Sequence, residues 1–163
     1  MADRKVYFMQ HGLAVDKADD PERPLSDAGI QQTHKIAETL RASGIMISSI
    51  YHSGKLRAAQ TADIMAATLG LDSVTMIEGL SPNDETALLS HKLDNSDALY
   101  VGHLPHLEKL VSQLIAGRTD PPIIIFRNSA LLCIENSNMM TQDNQQRFWR
   151  IKWYLTPESL GLA

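Results

Sequence analysis

The sequence predicts an α/β fold with a largely parallel sheet covered by helices on both faces. Short apolar runs alternate with amphipathic helical stretches four times along the first two thirds of the chain. Gly44, Gly70 and Gly117 each stand where a helical stretch stops. At 163 residues, 44% hydrophobic and 21% charged, the composition suits one globular domain spanning 1–163 with a sizeable core.

The elements follow in order. Residues 5–10 read as a buried strand, and residues 11–25 as a long polar loop. Ser26 is placed to cap a helix over 27–43, with Ile30, Ile36, Ala37 and Leu40 on its apolar side. Residues 47–52 form a second strand. A second helix, over 54–69, buries Leu56, Ala59, Ala62, Ala66 and Leu69. Residues 73–77 form a short strand, 83–91 a brief helix, and 97–102 a fourth strand. Pro105 suits the first turn of a helix that runs to 116 and buries Leu107, Leu110, Val111 and Leu114. Residues 130–135 and 147–154 read as antiparallel strands joined by a polar loop containing Asn136, Asn138, Asp143 and Asn144.

Bulk chemistry narrows the function. A net charge of −4 argues against a general nucleic-acid binder but leaves room for a local cationic pocket. No stretch is long and apolar enough to span a bilayer, and the N-terminus leads into a strand rather than a signal peptide. The lone cysteine, Cys133, reads as a buried structural thiol and fits a cytoplasmic setting. There is no HExxH motif, close His/Cys cluster, Walker loop or dinucleotide fingerprint, so no metal or other cofactor is expected.

Three strand-to-helix junctions carry the chemistry. His11-Gly12 follows the first strand, and Gly102-His103 ends the fourth. Between them, Ser53-Gly54-Lys55-Leu56-Arg57 opens a helix. Parallel strands deliver such junctions to one sheet edge, where ligands bind. Lys55 and Arg57 are unfavourable in a first helical turn unless an anion compensates, and a phosphoryl group at the helix N-terminus does so. The plain alternatives are solvated surface cations and an N-capping Ser53. A neutral His11 becomes a nucleophile when one ring nitrogen donates to a carbonyl and frees the other. Gly12 permits close backbone approach. His103, as an imidazolium, would donate to a phosphoryl oxygen. His106 reads as a surface or supporting residue. His34, His52 and His91 receive no chemical role.

These residues resemble the histidine phosphatase superfamily, with its phosphoglycerate-mutase-like fold, and within it the short phosphohistidine phosphatases of the SixA type. The matching blocks are Gln10-His11-Gly12, Arg23-Pro24-Leu25-Ser26-Asp27-Ala28-Gly29, Ser53 to Thr61 with Arg57-Ala58-Ala59-Gln60-Thr61, and Gly102-His103-Leu104-Pro105. They occur in the family's order and span most of the chain. The resemblance implies a three-layer α/β/α sandwich without a large cap domain. It also implies attack on phosphorus by His11, with Gly12, Ser53, Arg57 and His103 around the phosphoryl group, and no metal. The implied partner is a phosphohistidine-bearing protein, not nucleic acid or membrane.

One departure stands out. The family's arginine before the nucleophile is Gln10 here. An amide still donates a hydrogen bond but carries no charge and no bidentate fork. Arg23 is the first candidate to replace part of that charge, with Lys55 and Arg127 behind it. Glu78 is the candidate general acid; otherwise it is a loop carboxylate bonded to nearby backbone. Two other functions stay open at this level: a small-molecule phosphomonoesterase, and a catalytically impaired phosphate-binding or adaptor protein.

Overall fold

The computed structural model describes residues 3–141 and 144–162. Six strands, β1 (Arg4–Gln10), β2 (Ser49–His52), β3 (Thr75–Met76), β4 (Ala98–Gly102), β5 (Leu131–Thr141) and β6 (Asn144–Leu155), form one sheet in the order β3-β2-β4-β1-β5-β6. The β3-β2, β2-β4 and β4-β1 pairs are parallel, and the two C-terminal pairs are antiparallel. Helices α1 (Asp27–Ala42), α2 (Leu56–Leu69), α3 (Ala87–Ser90) and α4 (His106–Ala116) supply the crossovers.

Strand alternation divides the core. Tyr7 and Met9 of β1, with Leu99 and Val101 of β4, pack against Ile36, Ala37 and Leu40 of α1 and Ala58, Ala62 and Met65 of α2. Val6 and Phe8, with Ala98 and Tyr100, face Leu89 of α3 and Leu107, Leu110 and Val111 of α4 on the opposite side. The result is the expected α/β/α sandwich.

Several local expectations change. The third strand is two residues long and the third helix four. The polar loop expected between the last strands is mostly ladder: Asn136 and Asn138 lie in β5 and Asn144 opens β6, whereas Asp143 lies outside the described residues. The physical reason is that β1 pairs with β5 only as far as Asn136. Beyond that point β5 pairs with β6 alone, and backbone pairing carries the ladder on through a mostly polar sequence. His106, read as a surface or supporting residue, is 1% exposed, which leaves only the supporting role. It stands one helical turn before Leu110, and so falls on the buried stripe of α4.

The first loop is pinned rather than loose. Ser26 caps α1 by accepting the Gly29 N–H, and its hydroxyl donates to the Leu13 carbonyl. A Cβ on Gly29 would sit 2.1 Å from the Leu13 oxygen, so only glycine lets α1 approach so closely. This contact, with the Ser26 N–H donating to the Leu13 carbonyl, holds Leu13 against the start of α1.

Candidate active site

Register brings the junctions together. Gln10 pairs with Gly102 and His52 pairs with Val101. The next residues, His11, His103 and Ser53, therefore leave the sheet at the same edge. The His11 N–H donates to the Gly102 carbonyl at 3.1 Å, and the two imidazole centroids lie 4.9 Å apart.

The tautomer of His11 is fixed by its partners. Nδ1 lies 2.7 Å from the Gly12 carbonyl, which can only accept, so Nδ1 carries the proton. Nε2 then presents its lone pair and accepts from Arg57 Nε at 3.2 Å. Gly12 is held in turn by its own N–H, which donates to Thr61 Oγ1. A Cβ on Gly12 would meet Thr33 Oγ1 at 2.8 Å. Burial, opposed by the Gly12 carbonyl and reinforced by Arg57 and Arg23, lowers the His11 pKa to about 4. Nε2 is thus an unprotonated lone pair near neutrality.

His103 is bound differently. Its Nε2 lies 2.6 Å from Ser53 Oγ, and its Nδ1 is buried with no partner among the described residues. Burial, then His11, Arg57, Lys55 and His106, lower its pKa to about 3. The ring is therefore uncharged near neutrality, and a phosphoryl group beside it would raise its proton affinity. Ser53 does not cap α2. That position falls to Lys55, whose side chain makes no capping bond, and no acidic residue occupies the first turn.

A pocket of about 280 Å³ opens on these groups. Gln10, His11, Arg23, Arg57, His103 and Asn128 are among the residues that line it. Among the described residues no carboxylate lines it, so the cavity is cationic and suits an anion. Arg23 has φ +51°, a left-handed conformation unusual for a side-chain-bearing residue, and donates from Nε to the Val15 carbonyl. Gln10 Oε1 is buried without a partner among the described residues.

Other candidates lie elsewhere. Glu78 is exposed and lines a different hollow, which Ser53 also borders. Arg127 is exposed and outside the pocket; its N–H donates to the Tyr154 hydroxyl. His52 is buried, and its Nδ1 accepts from the Gly54 N–H. Among the described residues no group of three or more His, Cys, Asp or Glu is placed to hold a metal ion, and no helix is long and apolar enough to cross a membrane.

Sequence reasoning missed Asn128 and Ser129. Asn128 Nδ2 donates to the His11 carbonyl, and the Ser129 N–H reaches the Gln10 and His11 carbonyls. Ser129 Oγ also bonds Thr33 Oγ1. The signal lay in the topology. Antiparallel β5 begins opposite Met9, so the residues just before Leu131 must lie beside His11.

The family model for the histidine phosphatase superfamily (branch 1) matches residues 6–82. An uncharacterized protein of Picosynechococcus is 32% identical over 124 residues, 71% of this chain and 75% of that one. The chain belongs to the histidine phosphatase superfamily. The phosphohistidine phosphatase SixA of Escherichia coli is 28% identical over 167 residues, covering 98% of both chains. The solved structure of the protein histidine phosphatase SixA complexed with tungstate superposes with a TM-score of 0.79 at 27% identity, covering 96% of this chain and 99% of that one. As a SixA-like member of the superfamily the protein is a phosphatase. The superfamily match covers His11 and Arg57, while His103 lies beyond it and joins them through the β1–β4 register.

Proposed function

We propose that the protein removes the phosphoryl group from phosphohistidine on a signalling or phosphocarrier protein, through a covalent intermediate on His11. The reading rests on one observation above all. A neutral imidazole with its Nδ1 proton locked on Gly12 turns Nε2 toward Arg57, in a pocket with no carboxylic acid.

In this mechanism Arg57 leaves Nε2 and swings onto the phosphoryl oxygens as substrate enters. The Nε2 lone pair then forms the N–P bond as the bond from phosphorus to the substrate imidazole breaks. The electron pair leaves on that imidazole nitrogen. His103 and Ser53 donate toward the oxygens whose charge grows. Water next attacks phosphorus, the His11 N–P bond breaks, and phosphate departs. An alkoxide leaving group needs an acid beside it, and Glu78 borders a different hollow. A substrate imidazole protonated on its other nitrogen leaves as a neutral molecule and needs no such acid. This favours phosphohistidine over a phosphomonoester.

Arg23 supplies part of the charge that Gln10 lacks. It lines the pocket, and its charge lowers the pKa values of both His11 and Arg57. We take residues 1–163 to act as one domain, since both helix layers pack on one sheet. We place the protein in the cytoplasm, where the lone buried thiol of Cys133 is at home.

A second reading draws on Gln10: a phosphate-binding adaptor without turnover. One experiment separates the two. The protein is incubated with a phosphohistidine carrier labelled with ³²P. Phosphate release with transient label on the protein, both lost in His11→Ala, is expected. Binding of the carrier without release supports the adaptor, and release retained in His11→Ala overturns the covalent mechanism.

A further inference from the structure

Beside the phosphoryl pocket, across the Ser53–His103 pair, a second hollow of about 400 Å³ opens. Ser53 and Ser81 form part of its wall, and Pro82, next in sequence to Ser81, lines the phosphoryl pocket. The two cavities are therefore neighbours with shared partitions. Their charges are opposite. Among the described residues the first is lined by Arg23 and Arg57 and no carboxylate, whereas the second is lined by Glu78 and Asp84 and no lysine or arginine. Asp84 is held in place by the Ser81 N–H, which donates to Oδ2 at 2.9 Å.

The lip of the second hollow is apolar and exposed. Met76 is 67% exposed and Leu88 49%. Met76 lies against Gly54, where a Cβ would fall 2.5 Å from its sulfur, and Leu88 backs Gly79 in the same way at 3.2 Å. Two apolar side chains beside two carboxylates match the two parts of a long cationic side chain. Its stem lies on the apolar lip while its charged end reaches the acid.

We propose that this hollow is the docking track for the polypeptide beside the phosphohistidine, and that it selects a lysine or arginine flanking the phosphorylated residue. The proposal deepens the phosphohistidine reading and rests on it. The phosphoryl group enters the cationic pocket while the neighbouring basic side chain crosses Ser53 and lies along Met76 and Leu88. Its ammonium or guanidinium group meets Glu78 and Asp84. The change of charge sign across Ser53 sets the direction in which the substrate chain lies, because reversing it would oppose like charges at both sites.

Three probes test this: free phosphohistidine, and two synthetic phosphohistidine peptides that differ only in having lysine pairs or glutamate pairs on both sides of the phosphorylated residue. The lysine peptide is expected to show a KM about fivefold lower than the glutamate peptide at similar kcat, the scale of an exposed ion pair. The preference should shrink at 1 M salt. Met76→Lys places a cation on the lip and should abolish the preference while leaving turnover of free phosphohistidine unchanged. Asp84→Asn, whose amide oxygen can still accept from Ser81, should reduce the preference by a smaller factor. Equal KM values for the two peptides, or a preference that survives Met76→Lys, overturn the docking track. Failure to hydrolyse even free phosphohistidine would instead overturn the functional reading on which the track rests.

Discussion

His11 and His103 occupy matching places at the ends of neighbouring parallel strands, yet their rings are held in different ways. His11 has both nitrogens engaged, Nδ1 by a backbone carbonyl and Nε2 by Arg57. His103 has one nitrogen on a serine hydroxyl and the other buried without a partner among the described residues. A carbonyl accepts only, so His11 has a single neutral tautomer. A hydroxyl accepts or donates, so the proton of His103 can respond to what enters the pocket. The same strand-end placement thus yields one ring with a fixed proton and one whose proton can adapt, which in the proposed mechanism act as a fixed nucleophile and an adaptable donor.

The sharpest way to break this comparison is to remove the nucleophile. His11→Ala should lower turnover by on the order of 10⁴-fold and abolish the phosphoenzyme, as read by acid-labile ³²P on the protein. Arg57→Ala comes next. It removes the donor to Nε2 and the main cation of the pocket, and should cost about 10²- to 10³-fold in kcat, the scale of a lost oxyanion donor. If His103→Ala abolishes phosphoenzyme formation while His11→Ala leaves it intact, the two roles are reversed.

The pKa values of the rings give a pH test. Both rings sit below the usual 6.5, His11 at about 4 and His103 at about 3, chiefly through burial. The unfolded chain therefore binds more protons than the folded chain between about pH 6.5 and 4. Folding stability must fall as pH drops through that window and recover as it rises. NMR titration of the ring signals should place the His11 midpoint near 4. A midpoint near 6.5 would show that the ring is solvated and its nucleophilic nitrogen less protected than the geometry implies.

Much of the fold was legible because the parallel half repeats a simple grammar. Apolar strand, glycine-stopped helix and junction residues recur, and the helix starting after Ser26 and those ending at Gly70 and Gly117 fall within two residues of expectation. The site was legible at His11, Arg57 and His103 because each stands at a strand end or a helix start. It was illegible where long-range pairing decides. Asn128 and Ser129 become neighbours of His11 only once β5 is placed antiparallel to β1. Ser53 looked like a helix cap because capping is local, whereas its partner His103 lies 50 residues away. His106 has a polar identity at an apolar position, and there periodicity outweighs polarity.

A tenfold effect is expected at the pocket's other cation. Arg23→Ala should raise KM for phosphohistidine substrates about tenfold, the scale of a hydrogen bond to a charged group. Gln10→Arg should restore the charge that the family motif carries. With Gln10→Arg in place, Arg23→Ala should cost only about twofold, since the two cations then share one role. Strictly additive effects in this double-mutant cycle would show that Arg23 does not stand in for the absent guanidinium.

The smallest expected effect returns to the difference between the two rings. Ser53→Ala deletes the one hydrogen-bond partner of the His103 ring among the described residues and touches none of the ring bonds of His11. Losing one hydroxyl hydrogen bond is worth about 1 kcal/mol, so kcat/KM should fall about fivefold. The phosphoenzyme should still form, and the His11 titration should stay near 4, because burial and Arg57 are unchanged there. Ser53→Thr, which keeps the hydroxyl, should recover most of the loss. If Ser53→Ala instead shifts the His11 midpoint or removes the phosphoenzyme, the rings form a single coupled unit, and the division into fixed nucleophile and adaptable donor does not hold.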